Sequence, residues 1–94
     1  MSVTSRKKFY RLEKIFKGIA NHRRIEMLYL ISRRSNLSVE DIVSKLDINY
    51  QTGSSHLRKL VKAGLVNGVK QGRRVEYVLS PYGDIIITFL KKLK

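Results

Sequence analysis

Cysteine is missing from the chain, and with it go disulfide bridges, thiolate metal sites and cysteine nucleophiles. Tryptophan is absent too, and a single proline, Pro81, leaves long stretches with nothing to interrupt a helix. No apolar run approaches the roughly 18 residues that suggest a membrane span, and the first residues are polar and basic, unlike a secretory signal. Acids are scarce: seven Asp and Glu stand against twenty Lys and Arg, a formal net charge of +13. Together these absences point to a protein of the reducing cytoplasm with a polyanionic partner, since neutralising phosphates releases their counterions. Scattered acids, two histidines and no nucleophile–base pairing give no basis for an enzyme, a cofactor or a metal site.

What is present fits one small domain. Its 94 residues, 43% hydrophobic and 29% charged, can bury roughly 65% of the unfolded chain's surface, and dimerisation would add to that modest core. Ten of the twenty cations fall in residues 1–37 against two acids, so the charge is concentrated toward the N-terminus. A membrane surface is the competing polyanion; outside the two terminal helices no segment has the bulky apolar face that would seat on one.

The most informative stretch runs from Ser38 to Gly64. Ser38 followed by Asp41 reads as a capping box, and Ile42, Val43 and Leu46 give the helix after it one buried side. Asp47-Ile48-Asn49 predicts a sharp turn, because Asp and Asn tolerate left-handed backbone, and Asn49 can cap the next helix. Over Tyr50 to Ala63, Gly53, Leu57, Leu60, Val61 and Gly64 form one stripe. Tyr50, Gln51, Ser54, Ser55, Arg58 and Lys62 form the opposite one. That polar stripe carries amide, hydroxyl, phenol and cationic groups and no acid. Such groups suit base edges and phosphates, and an α-helix fits the major groove of DNA. An ordinary solvated face is the plain alternative.

Elsewhere the pattern is equally segmented. Residues 1–8 read as a basic flexible tail. From Phe9, apolar residues recur at Leu12, Ile15, Phe16 and Ile19, with Gly18 near the helix end. Asn21 caps a second helix whose inner side is Ile25, Leu28 and Ile31 or Ser32, broadened by Met27, Tyr29 and Leu30; so apolar a helix should be central. Arg33 to Asn36 closes it as a basic loop. After Gly64 the period changes to two: residues 65–70 and 74–79 predict a hairpin over Gln71-Gly72-Arg73, with Gly72 at positive φ and Lys70, Arg73 and Arg74 at its tip. Ser80 and Pro81 start a last helix, Asp84 in its first turn and Lys91, Lys92 and Lys94 near its end. Ile85, Ile86, Ile87, Phe89, Leu90 and Leu93 cover most of its circumference, more than one small core can hide. His22 reads as structural or exposed, and His56 as a hydrogen-bonded boundary residue.

Three stretches resemble the ArsR-type transcriptional regulators, winged helix-turn-helix proteins. They are Ile19 to Leu28 as the opening motif, Leu46 to Val66 as the recognition-helix signature, and Gly72 to Tyr77 as the wing and its return strand. The resemblance implies a dimeric DNA-binding repressor. Departures are Asp47 in place of a turn glycine, Gly53 where an aliphatic residue usually packs, and Ser55 where arginine is common. Ser38 and Glu40 stand where one class has its cysteine pair, and the last helix offers Asp84 but no histidine, so metal sensing does not carry over.

The expectation is therefore one domain over residues 1–94, mainly α with a small β-hairpin, in the order α-α-α-α-β-β-α, with residues 80–94 a dimerisation helix. Double-stranded DNA is contacted by Tyr50, Gln51, Thr52, Ser54, Ser55, Arg58 and Lys62 and by Lys70, Arg73 and Arg74. The homodimer forms through Phe9, Leu12, Phe16, Ile86, Phe89, Leu90 and Leu93. The competing expectations are an architectural DNA coater driven by charge alone and a winged helix that binds protein.

Overall fold

The computed structural model describes residues 3–93, with side chains from Arg6 onward; Met1, Ser2 and Lys94 lie outside the described residues. The elements are α1 (Val3–Ile19), α2 (His22–Arg33), α3 (Val39–Leu46), α4 (Tyr50–Lys62), β1 (Val66–Gln71), β2 (Arg74–Leu79) and α5 (Pro81–Lys91). This is the expected order. The expected tail is shorter, because α1 already begins at Val3: residues 3–8 contain no Gly or Pro, and Arg6, Lys7 and Lys8 are good helix formers that continue the turn set by Phe9.

Helix α2 is the hub, in contact with α1, α3, α4, α5 and β2. Its buried row is Arg24, Met27, Leu28 and Ile31, whereas Ile25 is only half buried. Apolar periodicity alone sets the phase of this helix one residue off, because it assigns an arginine to the water-facing side. Around α2 the core gathers Ile15 and Ile19, Leu37, Ile42, Leu57 and Leu60, Leu65 and Val66, and Ile86 and Ile87.

Local signals set the boundaries. Asn21 accepts from the amides of Arg23 and Arg24, and Ser80 from that of Gly83 with Pro81 at the first helical position. At the end of α4, Gly64 at φ 80° closes a Schellman turn in which Leu65 N donates to Leu60 O and Gly64 N to Val61 O. That turn sends the chain directly into β1. The hairpin pairs Val66 with Leu79 through Gln71 with Arg74, leaving Gly72 (φ 65°) and Arg73 as a two-residue turn. A two-stranded hairpin needs support. Here a bridge between Leu37 and Tyr77, with Tyr77 N donating to Leu37 O at 2.9 Å, ties it to the loop before α3.

The terminal helices leave apolar side chains outside. Phe9 (52% exposed) and Phe16 (50%) on α1, and Phe89 (46%) and Leu93 (61%) at the α5 end, are only about half covered within the chain; Leu12 is exposed and Leu90 half buried. Ile86 is a correction to the expected dimer surface. At 9% exposure it belongs to the protomer's own core, because Gly83, Ile86, Ile87 and Leu90 form the inward stripe of α5, and Ile85 takes the outward place instead.

Candidate nucleic-acid interface

The α3–α4 unit is assembled by the capping groups read from the sequence. Ser38 N donates to Asp41 Oδ2 (3.0 Å) and Asp41 N to Ser38 Oγ (3.2 Å), a reciprocal capping box. Asp47 adopts left-handed backbone (φ 53°, ψ 52°), and Ile48 N donates back to Val43 O at 3.1 Å. Asn49 then accepts from Gln51 N (2.8 Å) and Thr52 N (3.2 Å), fixing the start of α4. Gly53, Leu57 and Leu60 of α4 point inward.

The opposite face is open. Tyr50, Gln51, Thr52, Arg58 and Lys62 are exposed, and Ser54 and Ser55 are half buried. Arg58 Nη1 donates to Ser54 Oγ (3.1 Å), so the guanidinium is held along the helix one turn from its own Cα. Between this face and the hairpin runs an open groove of about 720 Å³, walled by Tyr50, Ser54, Arg58 and Lys62 on one side and by Gly68 and Tyr77 on the other. The helix and the β-hairpin therefore share one concave face.

Lys70 and Arg73 are exposed at the hairpin tip. Arg74 is placed differently. Its Nε donates to Glu76 Oε2 (3.0 Å), and its Nη2 donates to Asn36 O (3.0 Å) and to Asp41 Oδ2. Two carboxylates thus offset its charge, and one belongs to the capping box of α3. The guanidinium latches the hairpin to the helix pair. The Asp41 carboxyl is held below its ordinary pKa, first by the Ser38 amide and then by Arg74.

One neighbour of the site lies beyond the sequence expectations. Arg24 is buried and reaches from α2 to two other helices: Nε donates to Gly18 O (2.5 Å), Nη2 to Lys17 O (3.4 Å), and Nη1 lies 3.1 Å from His56 Nδ1. Arginine has donors only, so His56 Nδ1 accepts and the ring proton sits on Nε2. Partial burial lowers the His56 pKa, and the neighbouring Arg24 and Lys59 charges lower it further. The signal in the sequence is a cation three and four residues before Met27 and Leu28, on an apolar stripe where a charge requires partners. His56 is the hydrogen-bonded boundary residue expected, and His22 is exposed. Among the described residues, no cluster of His, Asp or Glu could hold a metal ion, and no helix is long and apolar enough to cross a membrane.

A capped helix pair, an acid-free outer helix and a β-hairpin beside it define the winged helix-turn-helix class. Residues 21–68 match the model of the bacterial regulatory protein arsR family, and the chain belongs to that family. The arsenical resistance operon repressor of Escherichia coli is 37% identical over 68 residues, 72% of this chain and 58% of the relative. The structure of reduced HlyU from Vibrio cholerae, a transcriptional activator, superposes with a TM-score of 0.81 at 31% identity, covering 96% of this chain and 95% of that one. A homodimeric winged helix-turn-helix DNA-binding domain from Mycobacterium bovis superposes with a TM-score of 0.88, covering 99% of this chain and 86% of that one; at 23% identity it supports the fold. The matches to the curated relatives take in a little over half of those proteins' lengths.

Proposed function

We propose that the protein is a sequence-specific, double-stranded DNA-binding transcriptional regulator that acts as a homodimer in the cytoplasm and carries out no catalysis. The observation that carries the reading is the shared concave face: the acid-free side of α4 and the hairpin wall one groove, so a duplex can meet both at once. In this reading α4 enters the major groove, with Gln51, Ser55 and Arg58 toward base edges and Tyr50, Thr52, Ser54 and Lys62 toward bases or phosphates. Lys70 and Arg73 hold the flanking backbone or minor groove. Arg74 positions the wing beside Lys70 and Arg73 through its pair with Asp41.

The dimer is proposed from the apolar side chains left outside on α1 and α5, chiefly Phe9, Leu12, Phe16, Phe89 and Leu93 with the edge of Leu90. A twofold axis would set two recognition helices about 34 Å apart, one turn of B-DNA, and select an inverted repeat. Relatives named as repressor and as activator share the scaffold. Occupying an operator is the common step, and repression by blocking polymerase is the simplest outcome of it.

Selection of bound duplexes from a random pool, read with the protein's mass in solution, tests this. The expected result is an enriched dyad motif bound by a dimer of about twice 10.9 kDa. Uniform retention of all sequences would replace the reading with that of an architectural coater.

A further inference from the structure

The flank of α4 away from the wing carries a second cationic feature, of which the α4 and wing contacts use only Lys62. A Cβ on Gly18 would overlap the Cβ of Ala63, so the C-terminal parts of α1 and α4 close directly on one another. Over that junction lies a shallow furrow of about 320 Å³ lined by Lys14 and Lys17 from α1 and by Lys59 and Lys62 from α4. All four lysines are exposed. Lys17 pairs with exposed Glu13 at 3.2 Å, and among the described residues the other three have no carboxylate within ion-pair distance. Cations at helix C-termini complement the helix dipole, which accounts for Lys17, Lys59 and Lys62 taken singly. It does not account for Lys14, nor for gathering four like charges over one junction, where they repel until an anion is present.

The furrow is continuous with the proposed DNA-binding face. Lys62 lines both it and the groove toward the wing. At 3.6 residues per turn, Tyr50, Ser54 and Arg58 lead round α4 toward the wing, while Lys59 and Ala63 lead round to α1. The outer face of α4 thus lies between two cationic borders. A helix in a major groove about 12 Å wide likewise lies between two sugar–phosphate strands.

We propose that the α1–α4 furrow is a second phosphate-binding site, in which Lys14, Lys17 and Lys59 take the DNA strand on the side of the groove opposite the wing. This rests on the proposed DNA-binding function. The test measures affinity against salt for the wild type, for Lys14→Gln/Lys17→Gln, for Lys14→Arg/Lys17→Arg, and for a control, Lys91→Gln/Lys92→Gln on α5. Glutamine matches lysine in helix propensity, and circular dichroism confirms that each variant folds. Each phosphate contact adds about 0.9 to the slope of log K against log salt. The α1 glutamine pair should therefore flatten the slope by roughly 1–2, equally on selected and scrambled duplexes, while the arginine pair and the control keep the wild-type slope. A wild-type slope in the α1 glutamine pair, or equal flattening in the control, overturns the furrow and leaves the DNA-binding reading standing. A wild type that binds no duplex removes both.

Discussion

Replacing Gly53 with alanine sets two effects of opposite sign against each other within one residue of α4. Alanine in a helix interior is favoured over glycine by about 1 kcal/mol, so propensity alone predicts a more stable protein. Packing predicts the reverse. A Cβ at Gly53 would overlap Val43 Cγ1 and lie 3.0 Å from Ile48 Cδ1 and 3.3 Å from Ile48 Cγ1. Ile48 is half-buried and the end of its side chain can give, but Val43 cannot move cheaply: it is buried on α3, where a β-branched side chain has one strongly preferred rotamer. Overpacking of this kind costs roughly 1–3 kcal/mol, so Gly53→Ala should lose about 1 kcal/mol net, lowering Tm by roughly 4–8 °C. Melts must be run at equal protein concentration, because the Tm of the proposed dimer would depend on it. The decisive comparison is the same change in a Val43→Ala background. There the methyl that the new Cβ would strike is gone, and Gly53→Ala should turn neutral or stabilising, a coupling of roughly 1–2 kcal/mol. A higher Tm for Gly53→Ala alone, or the same shift in both backgrounds, would refute the steric account.

Three further outcomes are expected. Arg24→Met should destabilise on the order of 2–3 kcal/mol in denaturant titration, since it strips the Lys17 and Gly18 carbonyls of a charged donor, whereas Ile25→Ala at the half-buried position beside it should cost less. His56 has a lowered pKa in the folded state, so below its ordinary value of 6.5 the unfolded chain takes up the proton first. Stability should therefore fall as pH drops from about 6.5 through the lower folded-state pKa, and His56→Gln should flatten that part of the profile. Arg73→Gln and Arg74→Gln should separate in DNA binding. The first flattens the salt slope by about 0.9, while the second weakens binding with a smaller change in slope, and Asp41→Asn shares the second pattern because it cuts the same latch.

The parts of the fold that were legible in the sequence are those decided within a few residues. Ser38 with Asp41, the left-handed Asp47, Asn49 and Ser80-Pro81 act through neighbouring backbone, and each forms the cap or turn its chemistry implies. The features that escaped depend on elements far apart in the chain. Arg24 meets His56 across 32 positions, Arg74 meets Asp41 across 33, and Leu37 bridges Tyr77 in a stretch that reads locally as loop. No period or cap encodes such pairings. A cation on an apolar stripe can be seen from sequence to need acceptors, but where they lie is a property of the packed helices. For the same reason, residue type alone puts Arg74 with Lys70 and Arg73, and only the neighbouring carboxylates set it apart.

Those long-range contacts also explain how so small a domain can present a helix and a hairpin together. Helix α4 is fixed at three places: Gly53 against Val43 and Ile48, His56 against Arg24, and the Schellman turn that leads into β1. The hairpin is seated on the core by Val66 and tied to α3 and the loop before it by the Leu37–Tyr77 bridge and by Arg74 to Asp41. Asp41 connects the two, since the carboxylate that holds Arg74 also caps α3, the helix against which α4 packs. Under the proposed function, binding a duplex would require little ordering beyond the exposed side chains of α4 and the wing tip, which keeps the entropic cost of association low. In the proposed regulator, affinity would come from a scaffold already set, while the groups that read sequence stay few and exposed.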